Sequence, residues 1–312
     1  MKYYLAPMEG ITVYIYRNAC HTYFEPYDKY FLPFIAPHEK RSFNAKERND
    51  LLPEHNKGLY AVPQVLTNDA DAFLSILADL RAMGYNEVNL NLGCPSGTVV
   101  AKGRGSGFLN EPKKLDEFLA RVFEQTDMKI SVKTRVGVDS DMVWEELVDI
   151  YNRYPLEELI VHPRVQKDFY NGTPRMECFS YAVSKSVNQL CYNGDIFDTG
   201  RYAQLHAAYP SVPAVMLGRG AIRNPGLLGE IRSGAKADKE TLHAFHDRLY
   251  EDYSQLFSGD RNVLFKMKEV WFYLSQMFEH SEKYAKKIQK AGRAADYVTA
   301  VNALFRDCEV KE

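Results

Sequence analysis

The sequence predicts an α/β fold, a (β/α)8 TIM barrel followed by a small carboxyl-terminal helical bundle. Short apolar runs of strand character alternate with longer amphipathic segments, a pattern typical of parallel sheets. Eight such runs occur before residue 218, and eight strands are the number that closes this kind of barrel. After Ser233-Gly234-Ala235 only helical patterns follow.

The predicted strands are short apolar runs bounded by turn residues. They cover residues 3–6, 27–35, 59–66, 87–92, 129–135, 158–162, 189–193 and 214–217. Amphipathic helices are predicted between them, including 69–83, 112–125 and 142–154. Asp69 suits the amino-terminal cap of the first of these helices, and Gly84 suits its carboxyl-terminal cap.

The last part of the chain predicts a helical bundle. Spaced apolar positions indicate helices at 241–257, 263–278, 281–291 and 294–305, and Ser258-Gly259-Asp260 is a turn between the first two. The predicted organisation is therefore a catalytic barrel domain at residues 1–232 and a helical domain at residues 236–312.

Composition limits the class of protein. The chain has 312 residues and a formal net charge of −2, so any surface for a polyanion must be a local patch. Five scattered cysteines without a C-x-x-C pair argue against a disulfide framework and a zinc site, and no metal is expected. No apolar leader and no run of roughly 18 apolar residues is present. We expect a cytoplasmic protein without a membrane span, and a monomer because no helix face is apolar without explanation.

Polar residues collect just after the predicted strands, where barrels of this kind place their active groups. Side chains at these positions can converge on one ligand. The set is Pro7, Met8, Gln64, Asn91, Cys94, Lys133, Arg135, His162, Arg164, Asn193, Gly194, Asp195, Gly218 and Arg219.

Two of these segments have the composition of a phosphate site. Asn193-Gly194-Asp195 and Gly218-Arg219-Gly220 follow the seventh and eighth strands, where barrels commonly hold a phosphate. Glycines let backbone N–H groups approach the anion, and Arg219 adds positive charge. Either segment alone is also an ordinary turn, whereas the two together favour an anion.

Three further side chains are candidates for chemistry. Lys133 and His162 could contact the ring of a bound flavin, where a lysine stabilises the anionic reduced form. Taken alone, a solvated lysine and a satisfied core histidine are the simpler interpretations. Cys94 precedes a glycine-rich loop and could act as an acid or a nucleophile. The alternative interpretation is that Cys94 is a small hydrophobic residue of the core.

Taken together, these segments form one series along the chain. They are Ala6-Pro7-Met8-Glu9-Gly10, Gln64, Asn89-Leu90-Asn91-Leu92-Gly93-Cys94-Pro95, Val132-Lys133-Thr134-Arg135-Val136-Gly137, His162-Pro163-Arg164 with Tyr170-Asn171-Gly172, Asn193-Gly194-Asp195-Ile196 and Leu217-Gly218-Arg219-Gly220-Ala221. The series resembles the tRNA-dihydrouridine synthase family of bacterial type, in family order.

The resemblance implies FMN, reduced by NADPH, at the barrel mouth and a uridine of tRNA as substrate. A hydride would pass from the flavin to C6 of uracil, and Cys94 would protonate C5. The resemblance assigns the flavin ring to Gln64, Lys133 and His162, backed by Pro7 and Met8. It assigns the phosphate to the segments of Asn193, Gly194, Asp195, Gly218 and Arg219, and the uracil to Asn91, Arg135 and Arg164.

A lysine cluster in the helical domain is a candidate RNA surface. Lys283, Lys286, Lys287 and Lys290 recur at spacings of three and four, which places them along one helix side. Lys266 and Lys268 could extend this patch, and Tyr284 could stack on a base. A solvated lysine face is the commoner explanation of such a run, and the resemblance favours RNA.

Other functions remain open from the sequence. The first alternatives are dihydrouridine synthesis on ribosomal RNA and a free-pyrimidine or dihydroorotate-type FMN oxidoreductase, which would not need the basic helices. A flavin-independent phosphate-binding barrel that uses Lys133, and an RNA-binding protein without turnover, are further alternatives.

Overall fold

The computed structural model describes residues 1–38 and 43–311. Within them the chain divides into two compact units. The barrel unit comprises Met1–Pro7, Asp28–Gly194 and His206–Met216, and the helical unit comprises Met8–Tyr27, Asp195–Leu205 and the chain from Leu217 onwards. These units interleave along the sequence, whereas the predicted domains 1–232 and 236–312 are consecutive segments and remain a prediction.

The described residues contain nine strands, all paired in parallel. They are β1 Lys2–Leu5, β2 Lys29–Phe31, β3 Ala61–Val62, β4 Gln64–Val65, β5 Glu87–Leu92, β6 Lys129–Thr134, β7 Leu159–Val161, β8 Leu190–Asn193 and β9 Ala214–Leu217. Each predicted strand is confirmed, and the long aromatic run at 27–35 shortens to three paired residues.

The strands close into a barrel at Pro63. The sheet order is β3-β2-β1-β9-β8-β7-β6-β5-β4, so its two ends are β3 and β4. These two strands are consecutive along the chain and are separated by Pro63, which has no N–H to donate. The carbonyl oxygen of Pro63 still accepts from the Asn89 N–H at 2.9 Å. Strands β3 and β4 therefore count as one interrupted strand, so the nine strands fill eight barrel positions, which confirms the predicted (β/α)8 topology.

Helices follow the strands and continue to the end of the chain. They are α1 Tyr14–Tyr23, α2 Ala45–Leu51, α3 Ala70–Ala82, α4 Gly97–Val100, α5 Pro112–Gln125, α6 Trp144–Tyr151, α7 Met176–Lys185, α8 Thr199–Ala208, α9 Arg219–Arg223, α10 Leu227–Ser233, α11 Lys239–Leu256, α12 Asp260–Leu274, α13 Glu282–Lys290 and α14 Ala294–Asp307. The four predicted carboxyl-terminal helices are confirmed as α11 to α14. Among the described residues, none of the helices has the length and hydropathy that crossing a bilayer requires.

Helix α3 illustrates how local sequence sets the element boundaries. The Asp69 side chain accepts from the N–H groups of Asp71 and Ala72 at 3.0 and 3.1 Å, which caps the amino terminus. Gly84 follows the last turn with a φ of +93°, a conformation that costs glycine little. Both predicted caps are confirmed.

Buried charges occupy the amino ends of the barrel strands. The Lys29 ammonium lies 2.8 Å from Glu87 Oε2 and 3.3 Å from Glu158 Oε1, and the Tyr4 hydroxyl also donates to Glu158. Burial raises the pKa of Glu158, and the neighbouring carboxylates raise the pKa of Lys29 despite its burial. A buried cluster of this kind fixes the arrangement of the strands, because removing one partner leaves an uncompensated charge.

A polar chain runs through the core of the helical unit. Trp271 Nε1–H donates to the Tyr297 hydroxyl at 2.8 Å, and that hydroxyl lies 2.8 Å from His246 Nε2. The Asp247 carboxylate only accepts, so His246 Nδ1–H donates to it, and Nε2 of the neutral ring then accepts from the Tyr297 hydroxyl. Burial lowers the pKa of His246, which favours the neutral form of the ring.

Candidate active site

An amide network crosses the interior of the barrel unit. Gln64 Nε2 donates to Asn89 Oδ1 at 2.8 Å, and Asn91 Nδ2 donates to Gln64 Oε1 at 2.8 Å. Asn89 Nδ2 continues the network to Ser131 Oγ at 2.9 Å. Side chains two residues apart on a strand share a face, and Gln64, Asn89 and Ser131 are neighbours in register. The network therefore locks the orientation of three adjacent strands at one level.

Asn91 also positions the backbone of Cys94. Its Oδ1 accepts from the N–H groups of Gly93 and Cys94 at 3.0 and 2.9 Å. The Cys94 carbonyl oxygen accepts from both the N–H and the hydroxyl of Ser106. A Cβ on Gly105 would lie 2.9 Å from that carbonyl oxygen, so only glycine allows this close approach. The half-buried Cys94 is thus held by its backbone on both sides.

Arg135 joins the Cys94 loop to the loop after β7. The guanidinium donates from Nε to the Gly93 carbonyl at 3.0 Å, from Nη1 to Val165 at 2.8 Å and from Nη2 to Phe169 at 2.6 Å. It is 1% exposed, and burial lowers its pKa to about 10. The residue was predicted to contact the substrate, and these three bonds place its donors on protein carbonyls. The substrate role stays a prediction.

His162 and Arg164 form a second buried pair after β7. Arg164 Nη1 lies 3.2 Å from His162 Nε2, and Arg164 also donates to the carbonyl oxygens of Asn171 and Gly172. A guanidinium only donates, so His162 Nε2 accepts and the ring carries its proton on Nδ1. Tyr170 lies over the His162 ring with its centroid 6.3 Å away. His162 therefore presents an N–H donor rather than an acceptor at Nδ1.

Lys133 carries a charge with no counter-charge nearby. It is the register neighbour of Asn91 and Ile160, which directs its side chain to the barrel interior. Within residues 1–38 and 43–311, no carboxylate and no hydrogen-bond acceptor lies against its ammonium. Burial, and then the positive charge of Arg135, lower its pKa to about 8. An ammonium that has no acceptor from the protein can bind an anionic or carbonyl oxygen of a ligand.

The segment at the end of β8 contains two residues of the predicted phosphate site, Asn193 and Gly194. Asn193 is buried, and its Nδ2 donates to the Met216 carbonyl at 2.9 Å, which ties the ends of β8 and β9. Gly194 has a φ of +154°, and a Cβ there would lie 3.2 Å from the Tyr192 hydroxyl. Glycine at this position leaves the backbone N–H uncovered by a side chain.

In the helical unit, Arg219 pairs with Asp195. The guanidinium Nη2 lies 2.6 Å from Asp195 Oδ1, and the guanidinium carbon lies 5.4 Å from the Phe197 ring centroid. Asp195 has a φ of +42°, which aspartate and asparagine tolerate better than most residues. A Cβ on Gly220 would lie 1.9 Å from the Ile196 carbonyl oxygen, so α9 can begin here only with glycine. Gly218 precedes Arg219 at the end of β9 along the chain.

The segment after β1 crosses from the barrel unit to the helical unit: Pro7 is the last residue of the first part of the barrel unit, and Met8 begins the helical unit. The Met8 N–H donates to Thr12 Oγ1 at 2.8 Å, and its carbonyl accepts from Ile11 and Thr12. Pro7 and Met8 are half-buried. Their predicted contact with a flavin ring stays a prediction.

Comparison with known proteins identifies the family. A family model described as dihydrouridine synthase matches residues 4–311, nearly the whole chain. The chain belongs to the dihydrouridine synthase family. The tRNA-dihydrouridine synthase B of Shewanella oneidensis is 24% identical over 326 residues, which cover 96% of this chain and 94% of that protein. The synthase B of Pasteurella multocida is 25% identical over 281 residues, which cover 88% and 83%.

Solved structures support the barrel fold of this dihydrouridine synthase family member. Morphinone reductase in complex with tetrahydroNAD has a TM-score of 0.53 at 12% sequence identity, covering 77% of this chain and 89% of that chain. A second structure of that enzyme, an asparagine-to-alanine variant in the same complex, has a TM-score of 0.55. At this identity the likeness concerns the fold alone.

The lysine cluster of this dihydrouridine synthase family member lies on one face of α13. Lys283, Lys286, Lys287 and Lys290 are all exposed, while Ile288 is buried on the opposite face. We call these four lysines the lysine face. Their contact with RNA stays a prediction.

Three residues predicted near the lysine face have other contacts. Tyr284 is only 6% exposed and its hydroxyl donates to Asp307, so the expectation that it stacks on a base is wrong. A tyrosine at that helix position points into the bundle core. Lys266 donates to the Gly10 carbonyl and pairs with Glu269, and Lys268 donates to the Ala291 carbonyl.

Four residues of the site had no role assigned to them from the sequence. Asn89 and Ser131 belong to the amide network, Gln166 Nε2 donates to the Pro95 carbonyl at 2.8 Å, and Tyr170 covers His162. The alternation Glu87-Val88-Asn89-Leu90-Asn91 does contain a signal, because three polar residues share the face that points into the barrel. Gln166 and Tyr170 lie on an irregular loop, where periodicity gives no information.

Proposed function

We propose that the protein reduces specific uridines of tRNA to 5,6-dihydrouridine, with bound FMN and with NADPH as the reductant. One observation carries the proposal. Cys94 is held by Asn91, and Asn91 is the register neighbour of Lys133. A proton donor and a cation without a counter-charge are thereby fixed at the ends of two adjacent strands. Membership of the dihydrouridine synthase family supports this assignment.

The residues fit FMN by their chemistry. Lys133 is an ammonium suited to the electron-rich edge of the ring, and His162 offers an N–H donor at Nδ1. Gln64 belongs to the buried amide network and can donate a second N–H from Nε2. For the phosphate we assign the backbone of Asn193 and Gly194 together with Gly218 and Arg219. Bound FMN would supply the hydride that is transferred to C6 of uracil.

Cys94 then has the role of general acid. Addition of a hydride to C6 places negative charge on C5 and O4 of uracil, so a proton given to C5 completes the reduction. The bonds from Asn91 and Ser106 fix the backbone of Cys94, which limits the thiol to the positions that its side-chain rotamers allow. Asn91, Arg135 and Arg164 are assigned to holding the uracil, with Arg135 and Arg164 acting through the two loops they anchor.

The RNA substrate is inferred from the relatives and from charge. The curated relatives are named as synthases that act on tRNA. A uridine within folded RNA reaches a barrel mouth only when its base is flipped out, so the enzyme needs a surface that holds the backbone. We assign that surface to the lysine face. Action on tRNA would place the enzyme in the cytoplasm.

The test is direct. The purified protein is examined for a flavin spectrum and then incubated with NADPH and bulk tRNA from a host that lacks its own dihydrouridine enzymes. Dihydrouridine is counted by mass spectrometry after nuclease digestion. We expect bound FMN and new dihydrouridine, and fragment mapping then identifies the position.

Each alternative has its own outcome in this assay. Flavin without product on tRNA, but with product on ribosomal RNA or on a free pyrimidine, would replace the proposed substrate. A protein that takes up no flavin after reconstitution with FMN would overturn the proposal as a whole.

A further inference from the structure

Two exposed phenylalanines on α12 have no role in the core of the helical unit. Phe265 is 61% exposed and Phe272 is 64% exposed, although other apolar residues of the same helix, such as Met267 and Trp271, are buried. The two rings are seven residues apart, which places them on one helix face at a separation of about 10 Å along the axis. Large apolar groups held in water on one face indicate a surface for binding.

This aromatic face adjoins the lysine face of α13. Lys268 lies between the two phenylalanines along the helix and shares their face. Its Nζ donates to the Ala291 carbonyl at 2.5 Å, and Gln289 Nε2 donates to the Lys268 carbonyl at 2.8 Å. Both partners flank Lys290, so the middle of α12 touches the end of the lysine face. The helix that carries the two rings is therefore in contact with the helix that carries the lysine face.

We propose that Phe265 and Phe272 are stacking platforms for unpaired RNA bases whose phosphates are held by the lysine face. The inference rests on the proposed function, because it assumes an RNA substrate. Single-stranded nucleic acid is bound by the combination found here, aromatic rings for the bases beside cations for the backbone. Charge complementarity favours RNA over a protein partner, since four exposed lysines lie on one face of α13.

The surroundings of each ring leave one side available to a base. The Lys266 ammonium lies 5.4 Å from the Phe265 centroid, and the Tyr273 ring meets Phe272 edge to face at 5.0 Å. These contacts leave more than half of each phenylalanine exposed, so a base can reach the rings.

The experiment measures RNA affinity as a function of salt. Fluorescence anisotropy with labelled tRNA is recorded for the full-length protein and for Phe265→Leu, Phe272→Leu and the double variant. Leucine keeps apolar volume but removes the aromatic face. We expect each single variant to bind roughly five- to tenfold more weakly, with the slope of log affinity against log salt unchanged. Lys287→Ala, in contrast, lowers that slope by roughly 0.7–0.9.

Val298→Ala provides a matched control, because Val298 is an exposed apolar residue of the same unit. It is expected to leave RNA affinity unchanged, and thermal unfolding verifies that every variant is folded. RNA affinity equal to wild type in the double phenylalanine variant would overturn the inference. So would light scattering that shows a wild-type dimer which the double variant converts to monomer, because the rings would then bind a second copy.

The outcome for this surface is separable from the outcome for the proposed function. If wild type produces dihydrouridine and the phenylalanine variants show an unchanged KM for tRNA, only the inference about α12 fails. If wild type produces no dihydrouridine but the variants lose RNA affinity at constant salt slope, the stacking surface stands and the proposed reaction fails. Oxidation of NADPH without RNA is expected to be the same in Val298→Ala and in wild type.

Discussion

The Nε of Arg135 donates a 3.0 Å hydrogen bond to the carbonyl oxygen of Gly93, the residue before Cys94. The same guanidinium reaches two carbonyl oxygens of the loop after β7, which also carries His162 and Tyr170. A buried cation thus connects the proposed acid to the loop of a proposed flavin ligand. Its planar set of donors serves both loops at once, which a lysine ammonium does not match.

Arg135→Lys is therefore expected to be a damaging substitution despite the retained charge. The buried carbonyl oxygens of Gly93, Val165 and Phe169 would lose partners, which lowers the free energy of unfolding by about 2–4 kcal/mol. Turnover is expected to fall at least about tenfold while FMN stays bound. Urea unfolding and single-turnover kinetics measure the two effects. Arg153→Lys, at an exposed surface pair, is the control and should change neither.

Cys94→Ala is expected to reduce the rate of dihydrouridine formation by about 100- to 10,000-fold. The backbone anchors from Asn91 and Ser106 do not involve the thiol, so the fold and the flavin spectrum should be unaffected. Product is counted by mass spectrometry, with Cys308→Ala as a control at a cysteine of the helical unit. Unchanged turnover in the purified Cys94 variant would rule out the role of acid.

Lys133→Met is expected to stabilise the flavin-free protein at neutral pH. The pKa of Lys133 is lowered from 10.5 to about 8, so below pH 8 the fold carries the cost of a partly desolvated ammonium, at most on the order of 3 kcal/mol. Between pH 8 and 10.5 the unfolded chain holds more protons than the fold, and wild-type stability rises. The difference in melting temperature should therefore shrink from pH 7 to pH 9.5. A constant difference would contradict this explanation.

Arg219→Ala and Asp195→Asn are expected to change FMN affinity in opposite directions. Loss of the guanidinium removes a charged donor for the phosphate and should raise the Kd for FMN by about 10- to 100-fold. Asparagine at position 195 tolerates the φ of +42° and removes a carboxylate that competes for Arg219, so the Kd should fall. Flavin fluorescence titration measures both. Weaker binding in the asparagine variant would indicate that the carboxylate itself holds the cofactor.

Reversal of charge on the lysine face should weaken binding of tRNA. The double variant Lys286→Glu/Lys287→Glu is expected to lose about 10- to 100-fold in affinity near 0.1 M salt, and to show a smaller salt slope. The double variant Lys113→Glu/Lys114→Glu changes the net charge equally on the barrel unit and serves as the control. Equal losses in both would assign the effect to net charge rather than to α13.

Much of the fold follows from the sequence, because the strands that form the barrel are short apolar runs with clear ends. The strands at 87–92 and 214–217 have the predicted bounds, since each is followed at once by a glycine-containing turn. The interruption at Pro63 was not predicted. The interruption arises because β3 pairs with β2 whereas β4 pairs with β5, and local sequence does not predict which strands will be neighbours.

The candidate site was predictable where side chains alternate on a strand, and not where they act across loops. Asn91 and Lys133 lie at strand ends, so their convergence follows from the barrel geometry. The anchoring roles of Arg135 and Arg164 depend on the paths of irregular loops. Tyr284 was assigned to the surface from its place in a charged run, but its helix phase turns it into the core.

The interruption at Pro63 also links assembly to function. Gln64, the next residue, pairs with β5 and carries the amide that orients Asn91, which in turn fixes the backbone of Cys94. A molecule in which β4 has not paired with β5 lacks these hydrogen bonds and therefore the preformed backbone at Cys94. If FMN binds as proposed, the flavin absorbance of a preparation would then measure the fraction of chains in which this pairing has formed, before any substrate is added.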